Sequence, residues 1–322
     1  MSLAALTAQL RAAPGIAHKQ DIAPILARLA LGHDTAIPVG DDCAAIPDGD
    51  GFLLLAIEGF MPGFIAADPH FAGFCGIMVN LSDIAAMGGR PIAVVDAIWS
   101  QDAAHAEPLL AGLAEASRTY NIPIAGGHTN TRAGADLLSV AILGRARKLL
   151  TSFDAKPGDS LIAAIDLRGT LRKTGPYWDA ATGAPPARLR ENFLLLPAIA
   201  EAGLCAAAKD ISMAGVIGTA LMLLEASHCG AALDLAAIPR PPEIPLESWL
   251  HLFPSFGFIL SVPPENTAAV LGKFAAQKIA AAIIGEADAS TRIRLRLGAE
   301  ETLFWDLAEQ NLTGCRTERA NA

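Results

Sequence analysis

The apolar residues between positions 71 and 91 follow the spacing of one buried helical face. They recur every three or four residues, which predicts a helix packed against a core, and Gly88 with Gly89 predicts its end. Asn80 and Asp83 interrupt the pattern three residues apart, so a helix would project both from one side. The apolar positions of this face are Phe71, Phe74, Met78, Leu81 and Ala85.

The amide and the carboxylate inside this apolar pattern admit two interpretations. An unpaired polar group in an apolar interior costs on the order of several kcal/mol, so Asn80 and Asp83 each need a partner. In the first interpretation, Asp83 accepts hydrogen bonds from backbone donors in an ordinary core helix. In the second, the two residues belong to a metal or phosphate site.

Apolar runs bounded by turn residues predict strands that alternate with helices along the chain. This alternation predicts a mixed fold, α+β or α/β, in each half. The predicted strands are 52–57, 92–98, 122–125, 137–143, 160–165, 255–262 and 280–284. The predicted helices are 103–120, 189–202, 213–227 and 267–277.

The segments between these elements predict the domain organisation. Residues 1–36 are expected to form a helical arm, followed by an N-terminal domain over 37–150 and a C-terminal domain over 151–322. Residues 168–186 are rich in Gly, Pro and Thr and are predicted to form an exposed loop. Ser212 is the expected N-cap of the helix 213–227, whose free N–H groups could hold an anion.

Composition limits the class of protein. A chain of 322 residues suffices for about two domains, and a net charge of −9 argues against a nucleic-acid-binding surface. The five cysteines are scattered without a CxxC pair, which favours a reducing cytosol. The N-terminus lacks a signal-peptide pattern, and the apolar run 213–224 is too short for a bilayer. We therefore expect a cytoplasmic protein without nucleic-acid or membrane partners.

Five carboxylates stand near the ends of predicted strands and helices. Each one alone is typical of a turn or a helix cap. Together they provide the hard oxygen ligands that magnesium takes along with substrate phosphates. Spacing alone leaves open whether they meet. The five are Asp41, Asp42, Glu58, Asp83 and Asp210.

Five short motifs occur in the order found in the aminoimidazole ribonucleotide (AIR) synthetase superfamily, which the chain resembles over about residues 38–290. They are GDDCAAI at Gly40, NLSDIAAMGGRP at Asn80, AGGHT at Ala125, KPGD at Lys156 and KDIS at Lys209. The superfamily includes thiamine-monophosphate kinase, selenophosphate synthetase, a hydrogenase maturation factor and formylglycinamidine ribonucleotide synthetase. The motif at Asn80 is the most specific of the five.

The resemblance implies a two-domain subunit in an AIR synthetase-like fold. The N-terminal sheet domain would pair with that of a second subunit into a barrel, giving a homodimer, and the C-terminal domain would be an α/β lobe. ATP with Mg²⁺ would bind near the dimer interface and transfer its γ-phosphate to a nucleophile or an activated oxygen.

The resemblance also implies roles for individual residues. Asp41 and Asp83 would be metal ligands, Asp42 stands beside them, Asp210 would add a carboxylate, and Glu58 replaces a family aspartate. Asn80 would position the nucleotide or a ligand side chain. The remaining implied contacts are Gly126 and Gly127, whose backbone would approach phosphate, and Arg145 and Arg147, which would neutralise phosphate charge.

The chain departs from the family pattern at three places. His128 and Met213 stand where thiamine-monophosphate kinases have aspartates, and 253–258 replaces a Gly-Glu-Asp run. His128 could bind a metal, act as a base, or form a hydrogen bond in a turn. The aromatic residues of 253–258 could pack in the core or form a pocket for a flatter, less charged substrate.

The favoured function is ATP- and Mg²⁺-dependent phosphoryl transfer to an unidentified small molecule. Asp83, Asp210 and His128 are the candidate catalytic residues. One alternative is a non-catalytic nucleotide-binding or partner-supporting subunit, and another is thiamine-monophosphate kinase itself. Cys43 is expected to be a core residue rather than a nucleophile, because neighbouring carboxylates raise the pKa of a thiol.

Overall fold

The computed structural model describes residues 1–29 and 37–315. Its first part, over residues 1–29 and 37–146, forms six α-helices and five strands. The helices are α1 (Leu3–Arg11), α2 (Pro14–Gln20), α3 (Ile22–Leu29), α4 (Pro62–Ala67), α5 (Pro69–Ala86) and α6 (Ala103–Tyr120). The strands are β1 (Ala44–Asp48), β2 (Gly51–Phe60), β3 (Arg90–Trp99), β4 (Ile124–Asn130) and β5 (Leu137–Ala146).

The later part forms ten strands, five α-helices and two short 3-10 helices within the described residues. The strands are β6 (Ser160–Ile165), β7 (Thr170–Leu171), β8 (Tyr177–Asp179), β9 (Ala207–Asp210), β10 (Gly230–Asp234), β11 (Phe253–Pro254), β12 (Gly257–Val262), β13 (Ala280–Asp288), β14 (Arg292–Leu297) and β15 (Glu300–Asp306). The helices are α7 (Pro186–Phe193), α8 (Leu195–Glu201), α9 (Gly215–Ala226), α10 (Leu246–Trp249) and α11 (Thr267–Ala276). The expected mixed α+β fold is confirmed.

The five-stranded sheet has the order β1-β2-β5-β3-β4 and is open, with β1 and β4 at its edges. Leu54 and Val140 are buried on the face that α5 covers. Because side chains alternate across a strand, Leu55, Val95 and Leu143 point to the other face, where they are 47%, 46% and 37% exposed. One face of this sheet is therefore apolar and uncovered in the single chain.

Helix α5 is largely buried and packs against one face of the five-stranded sheet. Asp68 accepts a hydrogen bond from the Phe71 N–H at 3.3 Å and Pro69 occupies the first turn, which fixes where the helix begins. A Cβ atom on Gly73 would come 2.0 Å from the Leu109 carbonyl oxygen. Glycine at this position therefore lets α5 and α6 pack with their backbones in contact.

The second sheet has seven strands in the order β15-β14-β10-β13-β6-β12-β9. Every residue of α9 is buried. Helix α1 packs on β14 and β15, and its Arg11 guanidinium donates hydrogen bonds to the backbone carbonyls of Leu303 and Phe304. The expected N-terminal arm is thus helical up to residue 29 and docks on this sheet, whereas residues 30–36 lie outside the described residues. None of the described helices is long and apolar enough to cross a membrane.

One local prediction was right only in part and another was wrong. The expected loop at 168–186 is exposed or half-buried over most of its length, but it contains β7 and β8 and is buried at 178–181. Trp178 is 2% exposed, and its indole N–H donates to the Asp166 carbonyl at 3.0 Å. The helix expected from residue 213 begins at Gly215, where Ala214 is the N-cap and no side chain caps the helix. Ser212 precedes this helix in a turn because its carbonyl accepts a hydrogen bond from the Gly215 N–H at 2.9 Å.

Candidate functional site

Three carboxylates from distant parts of the sequence meet in one place. Asp83 lies on α5, Asp210 is the last residue of β9, and Asp42 lies in the loop before β1. Each offers an oxygen, and these oxygens all lie within 4.8 Å of one another. Of the five carboxylates expected to share a metal site, these three form the group that can coordinate a single cation within the described residues.

Asp41 lies beside this group, and its carboxylate has its own hydrogen-bond partner, Ser152. Its carboxylate accepts hydrogen bonds from the backbone N–H of Ser152 at 2.7 Å and from the Ser152 hydroxyl at 2.5 Å. The ammonium group of Lys209 donates to Asp42 and lies 3.8 Å from Asp41. Lys209 is 7% exposed, so this cation balances the two carboxylates inside the protein.

Burial and mutual repulsion disfavour the charged forms of these acids. Burial raises the pKa of Asp210 to about 8; the charge of Asp42 adds to this rise, and Lys209 opposes it. Burial and then the Asp210 charge raise the pKa of Asp83 well above its ordinary value. Burial also raises the pKa of Asp41 to about 6, although Lys209 lowers it. A divalent cation would relieve this repulsion.

The carboxylates border a cavity of about 580 Å³ that extends along α5. Phe71, Cys75, Met78, Val79 and Asp83 line it from this helix. Their spacing follows one helical face. Phe71 and Asp83 are twelve residues apart, so the rise of the helix separates them by about 18 Å. The cavity is therefore elongated, with Asp83 near one end and aromatic residues near the other.

Helix α2 contributes His18 and Lys19 to the cavity wall, and sequence analysis missed both. Glu58 lines the same wall; burial raises its pKa, while the Lys19 charge opposes that rise. The Lys19 charge also lowers the pKa of Asp210. No motif marked these residues, and only the docking of the arm brings them to the carboxylates.

Two family models match this chain. The N-terminal domain of AIR synthase related proteins matches residues 40–146, and the C-terminal domain matches residues 169–298. This chain belongs to the AIR synthase-related family. The resemblance identified from the five sequence motifs is confirmed.

Curated relatives cover most of this AIR synthase-related chain. An uncharacterised protein of Synechocystis sp. is 51% identical over 96% of this chain and 97% of its own length. An uncharacterised protein of Methanocaldococcus jannaschii is 34% identical over 88% of each chain. A thiamine-monophosphate kinase of Caulobacter vibrioides is 30% identical over 72% of this chain and 69% of its own length.

Solved structures share the fold of this AIR synthase-related protein. PurL of T. maritima complexed with ADP has a TM-score of 0.77 at 17% identity, covering 98% of this chain and 55% of that one. AaThiL complexed with AMPPCP and TMP has a TM-score of 0.63 at 17% identity, covering 88% of this chain and 95% of that one. At 17% sequence identity, this structural similarity shows that the fold is shared.

Several residues to which the resemblance assigned roles lie away from the cavity of the AIR synthase-related chain. Gly126, Gly127 and His128 are exposed on β4, an edge strand, and the His128 ring lies 5.9 Å from that of Trp99. Arg145 on β5 pairs with acidic residues of the β1–β2 turn. In the described part of a single chain, these residues, Arg147 and Asn80 do not line the cavity.

Asn80 is fully buried inside α5. Its side-chain N–H donates to the Gly76 carbonyl at 2.8 Å, and its carbonyl oxygen has no hydrogen-bond partner in the described structure. Ser212 is different, since it lines the cavity beside Asp210 with a buried hydroxyl that also has no partner. Among the described residues, this hydroxyl is therefore a buried polar group that no hydrogen bond satisfies.

The prediction that Cys43 is a core residue is confirmed. The five cysteines are free and buried. Burial, followed by the charge of Asp83, raises the pKa of Cys43 well above its ordinary value. Its thiol is accordingly protonated at neutral pH and is a poor nucleophile.

Proposed function

We propose that this protein is an ATP- and Mg²⁺-dependent phosphoryl-transfer enzyme that acts on a small molecule. The observation that supports this most directly is the meeting of Asp42, Asp83 and Asp210 at one end of the cavity. Family membership supports a phosphotransfer role in general, because its relatives include a kinase and a synthase. The complexes of PurL and AaThiL with nucleotides support the choice of ATP.

The donor set fits magnesium. It consists of carboxylate oxygens without sulfur or nitrogen ligands, which suits a hard cation. Asp42, Asp83 and Asp210 would hold the ion, with Glu58 and Asp41 at its margin. The bound ion would supply neutralisation of the charge on the transferred phosphoryl group.

The protein side chains around the ion would fix the reacting groups. Lys209 holds Asp42 in place, and the Ser212 hydroxyl, which is buried without a partner, would reach a phosphate oxygen only after a local shift of its turn. Lys19 brings a positive charge toward the same end of the cavity. Asp210 would hold a proton at neutral pH without a cation and would release it when the cation binds.

A homodimer is part of this proposal. The uncovered apolar face of the first sheet supports it, since contiguous exposed apolar surface is typical of interfaces. Gly126, Gly127 and His128 lie on the free edge of that sheet, so a second copy could bring them toward a nucleotide. We also propose a cytoplasmic location and domains at 37–150 and 151–322.

A calorimetric titration tests the proposal. The wild-type protein is titrated with AMPPNP, a non-hydrolysable ATP analogue, with and without Mg²⁺. We expect Mg²⁺-dependent binding that Asp83→Asn abolishes. Asp234→Asn is the matched control, because Asp234 is exposed and only caps a short turn. Binding that is independent of Mg²⁺, or unchanged in Asp83→Asn, would contradict the assignment.

One observation favours a non-catalytic nucleotide-binding subunit as the second candidate. Met213 lines the cavity, 47% exposed, where thiamine-monophosphate kinases have an aspartate. Tight Mg²⁺-dependent nucleotide binding without turnover of any acceptor would support this function. The thiamine-monophosphate kinase alternative is tested by incubating the protein with thiamine monophosphate and ATP and measuring thiamine diphosphate.

A further inference from the structure

Five of the six aromatic side chains that line the cavity contact one another. They form a continuous series of ring contacts, from Phe60 to Phe64 at 6.3 Å, from Phe64 to Tyr177 at 4.8 Å, and from Tyr177 to Phe253 at 6.5 Å. Phe71 lies 5.9 Å from Phe64 and 6.0 Å from Tyr177. We call these residues the ring cluster. Its members come from β2, α4, α5, β8 and β11.

The ring cluster differs from the aromatic core of the same protein. Phe256 and Phe258 contact each other at 5.0 Å and are 3% and 0% exposed. Phe64, Tyr177 and Phe253, by contrast, are half-buried and line the cavity. The run 253–258 is therefore divided, since Phe253 borders the cavity and the other two phenylalanines pack in the core.

The charges near the ring cluster are paired. The Arg172 guanidinium lies 3.8 Å above the Phe71 ring and donates to Asp179 at 2.8 Å and to Asp68 at 2.5 Å. Lys209 and Lys19 interact with carboxylates at the other end of the cavity. The ring cluster thus offers flat apolar surface without a spare cation for a phosphate among the described residues.

We propose that the ring cluster binds a flat, uncharged heteroaromatic group of the molecule processed at the carboxylates. Aromatic rings stack on such groups in offset or edge-to-face arrangements, and the half-buried rings leave surface for this contact. The group is the ring of the acceptor or the base of the nucleotide. This inference rests on the proposed function for the reaction, but ring binding can be measured without metal.

Saturation-transfer NMR on the full chain tests this proposal with indole as the aromatic probe and cyclohexanol as the saturated one. We expect transfer to indole well above that to cyclohexanol. Phe253→Leu keeps apolar volume and removes a ring, so indole affinity should fall about three- to tenfold. Phe253→Tyr should retain binding. Phe193→Leu, which removes a ring outside the cavity, should also retain it. Phe64→Leu provides a second ring deletion if the first variant does not fold.

Competition separates the two sources of the ring. If magnesium AMPPNP displaces indole and magnesium tripolyphosphate does not, the ring is the base of the nucleotide. If neither displaces indole, the ring belongs to the acceptor. Both results support the ring site.

Two results would overturn the inference. The first is that the protein binds indole no more strongly than cyclohexanol. The second is that Phe253→Leu and the wild type bind indole with equal affinity. A wild-type protein that binds magnesium AMPPNP but not indole would refute the ring site alone. One that binds indole but not the nucleotide would refute the proposed function alone.

Discussion

Lys209 donates a hydrogen bond to Asp42, a residue 167 positions earlier in the sequence. This contact joins strand β9 of the second sheet to the loop before β1 of the first. A second hydrogen bond reinforces it, because the Asp210 backbone N–H donates to the Asp42 carboxylate at 3.4 Å. The two sheets are therefore tied together at the candidate metal site.

Replacing Lys209 should destabilise the fold. Lys209→Met leaves Asp41 and Asp42 buried without their cation, which should cost about 3 kcal/mol of unfolding free energy. Urea unfolding measures this, with Lys148→Met as the control because Lys148 is exposed. Equal midpoints for Lys209→Met and the wild type would show that the pair contributes little.

Without metal, stability should fall as the pH rises. The pKa of Asp210 is about 8 in the folded protein against 3.8 for a free aspartate, so the folded state holds more protons between these values. The contribution of Asp210 to the free energy of unfolding is complete below the pKa of the free aspartate and is lost as the pH rises through the pKa of the folded protein. Thermal unfolding at pH 5 to 9 should show this decline.

Asp210→Asn and Mg²⁺ serve as controls for the pH effect. The variant lacks the titrating group, so its stability should depend less on pH than that of the wild type. Magnesium should restore wild-type stability at high pH because it binds the deprotonated carboxylates. Parallel pH profiles for the wild type and Asp210→Asn would rule out this explanation.

Glu225 anchors the segment that follows β15. Its buried carboxylate accepts hydrogen bonds from the N–H groups of Leu312 and Thr313, both at 2.8 Å, and from the Thr313 hydroxyl at 2.6 Å. Glu225→Gln presents an amide to these donors and should cost about 2 kcal/mol. Hydrogen exchange should speed up at 311–315.

Glu243→Gln is the control for this anchor, because Glu243 is exposed. Thr313 and Cys315 line the cavity, so loosening of this segment should also weaken ligand binding there. Unchanged exchange rates in Glu225→Gln would mean that other contacts hold the segment.

The apolar face of the first sheet should mediate self-association. Val95→Asp places a charge in that face, where a partner subunit would bury it, and should convert a dimer to a monomer. Sedimentation velocity measures the change. Leu110→Glu is the control, since Leu110 is 40% exposed on α6. A wild-type monomer at micromolar concentration would refute the homodimer.

The sequence determined most local structure, because the periodicity of its apolar residues is a local property. The predicted helix 103–120 and strand 160–165 coincide with α6 and β6. Strand β14 was missed, although Ile293, Leu295 and Leu297 alternate with three arginines in a clear two-residue period. The motif order also sufficed to identify the family.

Only the tertiary structure decided which residues share the candidate site. Glu58, Asp83 and Asp210 line the cavity. Among the described residues of a single chain, Arg145, to which the resemblance assigned a role, and His128, which replaces a family aspartate, lie outside it. Burial of 178–181 and the approach of Lys19 also depend on packing between distant segments. Such contacts leave no periodic signal in the chain, because they depend on how the sheets and the arm meet in three dimensions.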